Sequence, residues 1–158
     1  MPPPPVAPTP DSRFPIPEAQ AFSLPIRVYW EDTDAGGVVY HAAYVRFLER
    51  ARTEWLRALG VSQQALRDRD DVVFAVRGMR LDFLAPARLD DALEVEVRLV
   101  GVGRASVTFA QRIARPCDAR VLLEAEVRVA CLVASTFRPR ALPDGLQAQF
   151  RNSMTEVS

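Results

Sequence analysis

Residues 32–41 read DTDAGGVVYH: two aspartates one residue apart, a Gly-Gly pair, and the only histidine of the chain. A carboxylate can attack an activated carbonyl or take a proton from water. A histidine, with a reference pKa near neutrality, can polarise that carbonyl or protonate a leaving group. His41 stands seven residues after Asp34, and the next stretch, AAYVRFLERARTEWLRALG, has the apolar spacing of a helix. The first turn of a helix adds unpaired N–H groups and a partial positive charge, a seat for a developing oxyanion. Gly36 and Gly37 let the loop turn sharply and bring backbone close to a ligand. The same residues have a structural reading. Aspartate is a preferred turn and cap residue, and Asp32 falls mainly in that class. A lone histidine is often a hydrogen-bonded packing residue. No G-x-S-x-G elbow is present, and no Ser or Cys stands as an obvious partner for His41, so a serine-hydrolase mechanism has little support.

The loop lies between two recognisable elements. Ile26, Val28 and Trp30 alternate with Arg27, Tyr29 and Glu31, which predicts a first strand from Pro25. After the loop, Tyr44, Phe47, Leu48, Ala51, Trp55 and Leu59 fall at three- and four-residue steps, one buried stripe ended near Gly60. SQQALRDR predicts a short second helix with Ser62 as N-cap. The remainder alternates as strands. Val72, Phe74 and Val76 share one parity, Met79, Leu81 and Phe83 the other, so a bulge is expected at Arg77-Gly78. Leu93 to Leu99, then Val107, Phe109 and Ile113, then Leu123 to Cys131 supply three further apolar faces. PDGLQAQF predicts a short closing helix. One strand, one long helix and four strands on short connections imply an α+β fold, an antiparallel five-stranded sheet wrapped around the helix.

Composition limits the rest. The 158 residues suffice for one domain, and 20 basic residues balance 20 acidic ones, which argues against a nucleic-acid binder. Nine of the 13 prolines lie in residues 1–25, so 1–24 is expected to be a disordered Pro-rich tail, 25–150 the domain and 151–158 a C-terminal tail. No stretch is apolar enough to span a membrane, and the start lacks secretory-signal features. Cys117 and Cys131 have no metal-site spacing. A reduced cytoplasmic setting is therefore expected.

RVYWEDTDAGGVVYHAAYVRFLERARTEWLR, FLAPARLDDALEVEV, AEVRVACL and PRALPDGL together carry a family resemblance. From about Arg27 to Phe150 the chain resembles the hotdog-fold acyl-CoA thioesterases of the 4-hydroxybenzoyl-CoA thioesterase type, in the Tol-Pal-associated, YbgC-type branch. The resemblance implies hydrolysis of an acyl-CoA to CoA and a carboxylic acid. It implies no metal or organic cofactor, and dimers or dimers of dimers with active sites at the subunit interface. It places the catalytic carboxylate on Asp34, as nucleophile or general base. The helix-entrance residue, whose N–H faces the thioester oxygen, falls on His41. Gly37, Val38, Tyr40, Tyr44 and Ser106 are candidate substrate contacts, and Arg104 and Arg128 candidate phosphate contacts. Two other readings are carried beside this one. One is a hotdog enzyme acting on acyl-carrier-protein substrates. The other is a partner of cell-envelope proteins, which would sit peripherally at the inner membrane.

Overall fold

The structure, a computed structural model, describes residues 21–155. In chain order the elements are β1 (Phe22–Arg27), α1 (His41–Ala58), α2 (Gln63–Asp70), β2 (Val72–Phe83), β3 (Ala92–Val102), β4 (Ser106–Arg115), β5 (Arg120–Val133) and α3 (Asp144–Thr155). The sheet order is β1-β3-β4-β5-β2, and every neighbouring pair is antiparallel. The sheet wraps around α1, which is the hotdog arrangement expected from the sequence.

The stripe predicted on α1 is the face it buries. Tyr44, Phe47, Leu48, Ala51 and Trp55 are all at most 7% exposed. Burying each large side chain among them is worth roughly 1.5–3 kcal/mol. Trp55 meets Phe109 edge-on at 5.2 Å and Phe150 of α3 at 5.5 Å between ring centres. The helix stops where the sequence expects. Gly60 adopts φ +79°, its N–H donates to the Arg57 carbonyl, and the Val61 N–H donates to that of Leu56. A left-handed residue with these two bonds closes the helix end, and glycine adopts it without a Cβ penalty. Ser62 caps α2 by accepting from the Ala65 N–H at 3.1 Å. The register of β2 on β5 shifts between Val76 and Gly78, the bulge that keeps both halves of β2 facing the core.

The structure corrects the sequence reading at both domain boundaries and at Trp30. β1 begins at Phe22, so residues 22–24 belong to the sheet. Pro25, which donates nothing, is tolerated because β1 is an edge strand. The strand ends at Arg27, and Trp30 lies in a 3-10 turn (Trp30–Asp32), 82% exposed rather than facing the core. At the other end α3 continues through Thr155, with Met154 packed against the core, so residues 151–155 are not tail. Residues 1–20 and 156–158, to which the rest of the tail expectation applies, lie outside the described residues.

A polar pin crosses the core between helix and sheet. Arg52, 7% exposed, donates through Nη1 to Oε1 of Gln111 at 2.8 Å. Gln111, fully buried, donates through Nε2 to the Leu48 carbonyl at 3.1 Å. Burial pushes the Arg52 guanidinium below its ordinary pKa, so the bond from Gln111 is what keeps its charge tolerable. Gln111→Leu is expected to destabilise the fold by about 3 kcal/mol, because a buried charged donor is left without its acceptor. Urea denaturation at fixed protein concentration reads this. A loss under about 0.5 kcal/mol, the range of ordinary surface substitutions, would show that the pin carries no weight.

Candidate active site

The loop that precedes α1 is a small hairpin. The Tyr40 N–H donates to the Asp32 carbonyl at 2.8 Å, Thr33 bridges Val39, and the Asp34 N–H donates to the Val38 carbonyl at 2.9 Å. Its tip is the turn from Asp34 to Gly37. The Gly37 N–H returns to the Asp34 carbonyl at 3.1 Å, and Gly37 takes φ +79°. A side chain at Gly37 would be strained there. Gly36 serves differently. Its N–H donates to Oδ1 of Asp34 at 2.7 Å, and a Cβ on Gly36 would lie 3.1 Å from that oxygen. The Gly-Gly pair is thus set by one positive φ and one close approach.

The two aspartates separate cleanly. Asp32 is 3% exposed and structural. Its Oδ2 accepts from the Tyr29 N–H at 2.9 Å and its Oδ1 pairs with Arg46 of α1 at 3.3 Å, which ties the loop to the helix. Asp34 is exposed, and its Oδ2 accepts no hydrogen bond among the described residues. One carboxylate holds the loop; the other is presented by it.

His41 is the first residue of α1 and is exposed, its ring 4.5 Å from that of Tyr40, itself 48% exposed. No side chain caps the helix start and no acidic residue occupies its first turn. The Ala43 N–H is taken by the Tyr40 carbonyl at 2.8 Å. The N–H groups of His41 and Ala42 have no acceptor among the described residues. An exposed carboxylate and an uncapped helix N-terminus therefore belong to one short hairpin. That pairing can supply a nucleophile or base together with oxyanion donors.

The other candidate contacts divide. Val38 is half-buried and bridged to Arg88, so it and Gly37 belong to the hairpin. Tyr44 is a packing residue: 4% exposed, edge-on to Phe47 and Phe83, its hydroxyl accepting from the Ala87 N–H at 3.0 Å. Burial pushes that hydroxyl above its ordinary pKa, and the nearby charge of Asp34 adds to the effect. Ser106 and Arg104 are not brought to Asp34 within one chain. They flank the β3–β4 hairpin, whereas the loop contacts Ala87 and Asp91 just before β3 begins. The 11 residues of β3 separate these ends, roughly 35 Å at ~3.3 Å per residue. Arg128 is paired with Thr108 and Gly78 and faces away from α1. The cation that does stand at the loop is Arg88, which sequence reasoning passed over; its place before the LDD turn of the FLAPARLDD segment is the available signal. A cleft of about 520 Å³ lined by Arg52, Leu56, Phe74, Phe109 and Phe150 lies farther along α1 and does not include Asp34 or His41. The single chain leaves the presented carboxylate on an open surface.

The profile of the thioesterase-like superfamily matches residues 28–150, nearly the whole described domain. The chain belongs to this family. Within it, the chain is 51% identical over 130 residues to the acyl-CoA thioester hydrolase YbgC of Escherichia coli, an alignment covering 82% of this chain and 96% of that one. It is 45% identical to the acyl-CoA thioesterase YbgC of Haemophilus influenzae, covering 83% and 95%. Among solved structures, a probable thioesterase of Bartonella henselae superposes with a TM-score of 0.74 at 34% identity, covering 78% of this chain and 100% of that one. Membership of the YbgC-type branch makes the chain an enzyme that hydrolyses thioesters. The hairpin from Asp32 to His41 lies inside the matched residues.

Proposed function

We propose that this thioesterase hydrolyses acyl-CoA, with Asp34 as the reacting carboxylate and the start of α1 as the oxyanion site. The observation that carries the reading is the contrast within one hairpin. Asp32 is buried and spent on structure, while Asp34 stands exposed with one free carboxylate oxygen beside two unpaired helix N–H groups. In the general-base form, Asp34 takes a proton from water as its oxygen bonds to the thioester carbon. The carbonyl oxygen gathers charge against the His41 N–H, the carbon–sulfur bond breaks, and the CoA thiolate leaves with a proton from the His41 imidazolium or from water. In the nucleophilic form, Oδ2 bonds to the same carbon, and water then cleaves the resulting anhydride. The family relationship to the YbgC acyl-CoA thioesterases supports CoA as the carrier.

A second copy completes the site in this reading. β2 is a sheet edge of 12 residues, and Val76, Phe83 and Leu84 on or just past it are 48%, 52% and 47% exposed. A long apolar edge of this kind invites pairing with another strand. Antiparallel pairing of two β2 edges would bring the far end of one subunit toward the hairpin of the other. Light scattering is expected to give a dimer or a dimer of dimers at low micromolar concentration. A stable, active monomer would count against the shared site. The function itself is tested by release of free thiol from a panel of short, long and aromatic acyl-CoAs and of acyl-carrier-protein thioesters. Turnover of at least one acyl-CoA above its carrier-protein counterpart is expected; hydrolysis of carrier-protein thioesters alone would overturn the substrate assignment.

A further inference from the structure

The sheet has two faces, and the helices use only one. α1 packs on Val95, Val97 and Val127, and α2 and α3 join that side through Leu66, Leu146 and Phe150. The opposite, outer face carries Arg98 of β3, Ala110, Arg112 and Ala114 of β4, and Glu124 of β5, each offset by one residue from a core-facing neighbour. No helix or strand among the described residues lies over it. Even so, in the single chain Arg98 is 8% exposed, Ala110 4%, Arg112 4%, Ala114 0% and Glu124 3%. Ala114 and Val121 form a small buried cluster separate from the main core. Charged side chains are almost never buried on an open sheet face unless something covers and pairs them. Arg112 is held by Glu96, with contacts of 2.8 and 2.7 Å. Arg98 is not so provided: its Nε and Nη2 are buried with no acceptor among the described residues.

We propose that the segment ahead of β1, residues 1–20, docks across this outer face and supplies the acceptors for Arg98. The chain enters the sheet at the right place. Phe22 pairs with Val97, so the residue before it emerges beside Arg98. The other terminus leaves from α3, whose Phe150 packs on Trp55 on the helix side. Length suffices: twenty residues in polyproline conformation reach ~60 Å at ~3.1 Å each, and five strands span only ~20 Å. Eight of these residues are proline, and a polyproline chain makes no hydrogen bonds of its own, so its carbonyls are available to guanidinium donors. The order of side chains also matches the order across the sheet. Glu18 comes first, nearest Arg98 on β3. Ile16 and Phe14 come after it, suited to Ala110, Ala114 and Val121 on β4 and β5. Arg13 is next, suited to Glu124 and Asp82, which stand directly opposite each other across β5 and β2. Two carboxylates so placed are stabilised by a cation between them. The alignment with the Escherichia coli relative covers 96% of that chain but 82% of this one, so most of the sequence outside it is this chain's own. Docked this way, the segment denies the outer face to a second copy and leaves the β2 edge for assembly.

The test compares the full chain with a chain beginning at Ala21. Both are treated with phenylglyoxal, and modification of Arg98 and Arg112 is followed by peptide mass spectrometry, with light scattering used to match their assembly. The full chain is expected to protect both arginines by at least ~10-fold relative to the shortened one, the factor given by a docking free energy of about 1.4 kcal/mol. Equal reactivity in both proteins overturns the proposal, and so does equal protection in both. Should the shortened chain fail to fold, the intact one decides. A spin label on Ser12→Cys in a Cys117→Ser background is expected to broaden the amide signals of Ala110 and Glu124. Unbroadened signals there overturn the proposal.

Discussion

An Asp34→Asn protein is expected to fold normally and to lose ~10²–10⁴ of kcat, the range typical of removing a positioned acid–base group. The fold should hold because Asn keeps the carbonyl oxygen that accepts from the Gly36 N–H, and Asn suits the same turn. What Asn lacks is a charge on the second atom, the position of Oδ2, and with it the ability to take a proton or form an anhydride. The side chain is exposed and makes no ion pair among the described residues, so no stability change should confuse the result. The measurement is steady-state kinetics on the best acyl-CoA of the panel, beside a thermal unfolding curve. Near wild-type turnover by a well-folded variant would remove Asp34 from the mechanism and return it to the turn.

His41→Ala separates two functions carried by one residue. The substitution leaves the backbone N–H at the helix start and deletes only the imidazole. If the N–H alone matters, the loss in kcat is about tenfold or less; if the imidazole is the essential acid, it reaches ~10²–10⁴. An intermediate loss is expected, smaller than that of Asp34→Asn. The ring is exposed and stacked only on Tyr40, so substrate or a neighbouring subunit must fix its direction. His41→Gln should recover part of the loss if the imidazole acts as a hydrogen-bond donor, and none if it must titrate. Unchanged kcat in both variants would leave Asp34 and the helix terminus as the whole site.

Several elements were legible because their cause is local. The stripe on α1, the Gly60 stop, the Ser62 cap and the bulge before Gly78 each arise from side-chain period, a cap hydroxyl or a missing Cβ. The hairpin was legible for the same reason. Asp34, Gly36 and Gly37 make contacts within a few residues of each other, so their types already imply the turn. Sequence alone thus determined the fold, the loop and the helix start that flank the candidate chemistry.

What it did not determine depended on partners distant in the chain. Trp30 alternates correctly for a strand, yet β3 begins at Ala92 and leaves it no partner, so it turns outward. Gln111 sits at a core-facing position between Phe109 and Ile113, where a polar residue signals a buried bond, but only the packing of α1 on β4 reveals Arg52 as its donor. The separation of Asp32 from Asp34 rests on Arg46, 14 residues after Asp32, and on burial that no local pattern encodes. Ser106 and Arg104 fall at the far end of β3 because antiparallel hairpins return the chain to alternate ends of the sheet. Local interactions set the conformation of each segment. Which carboxylate is spent on structure, and which is left free to react, was decided by the tertiary contacts that bury one and expose the other.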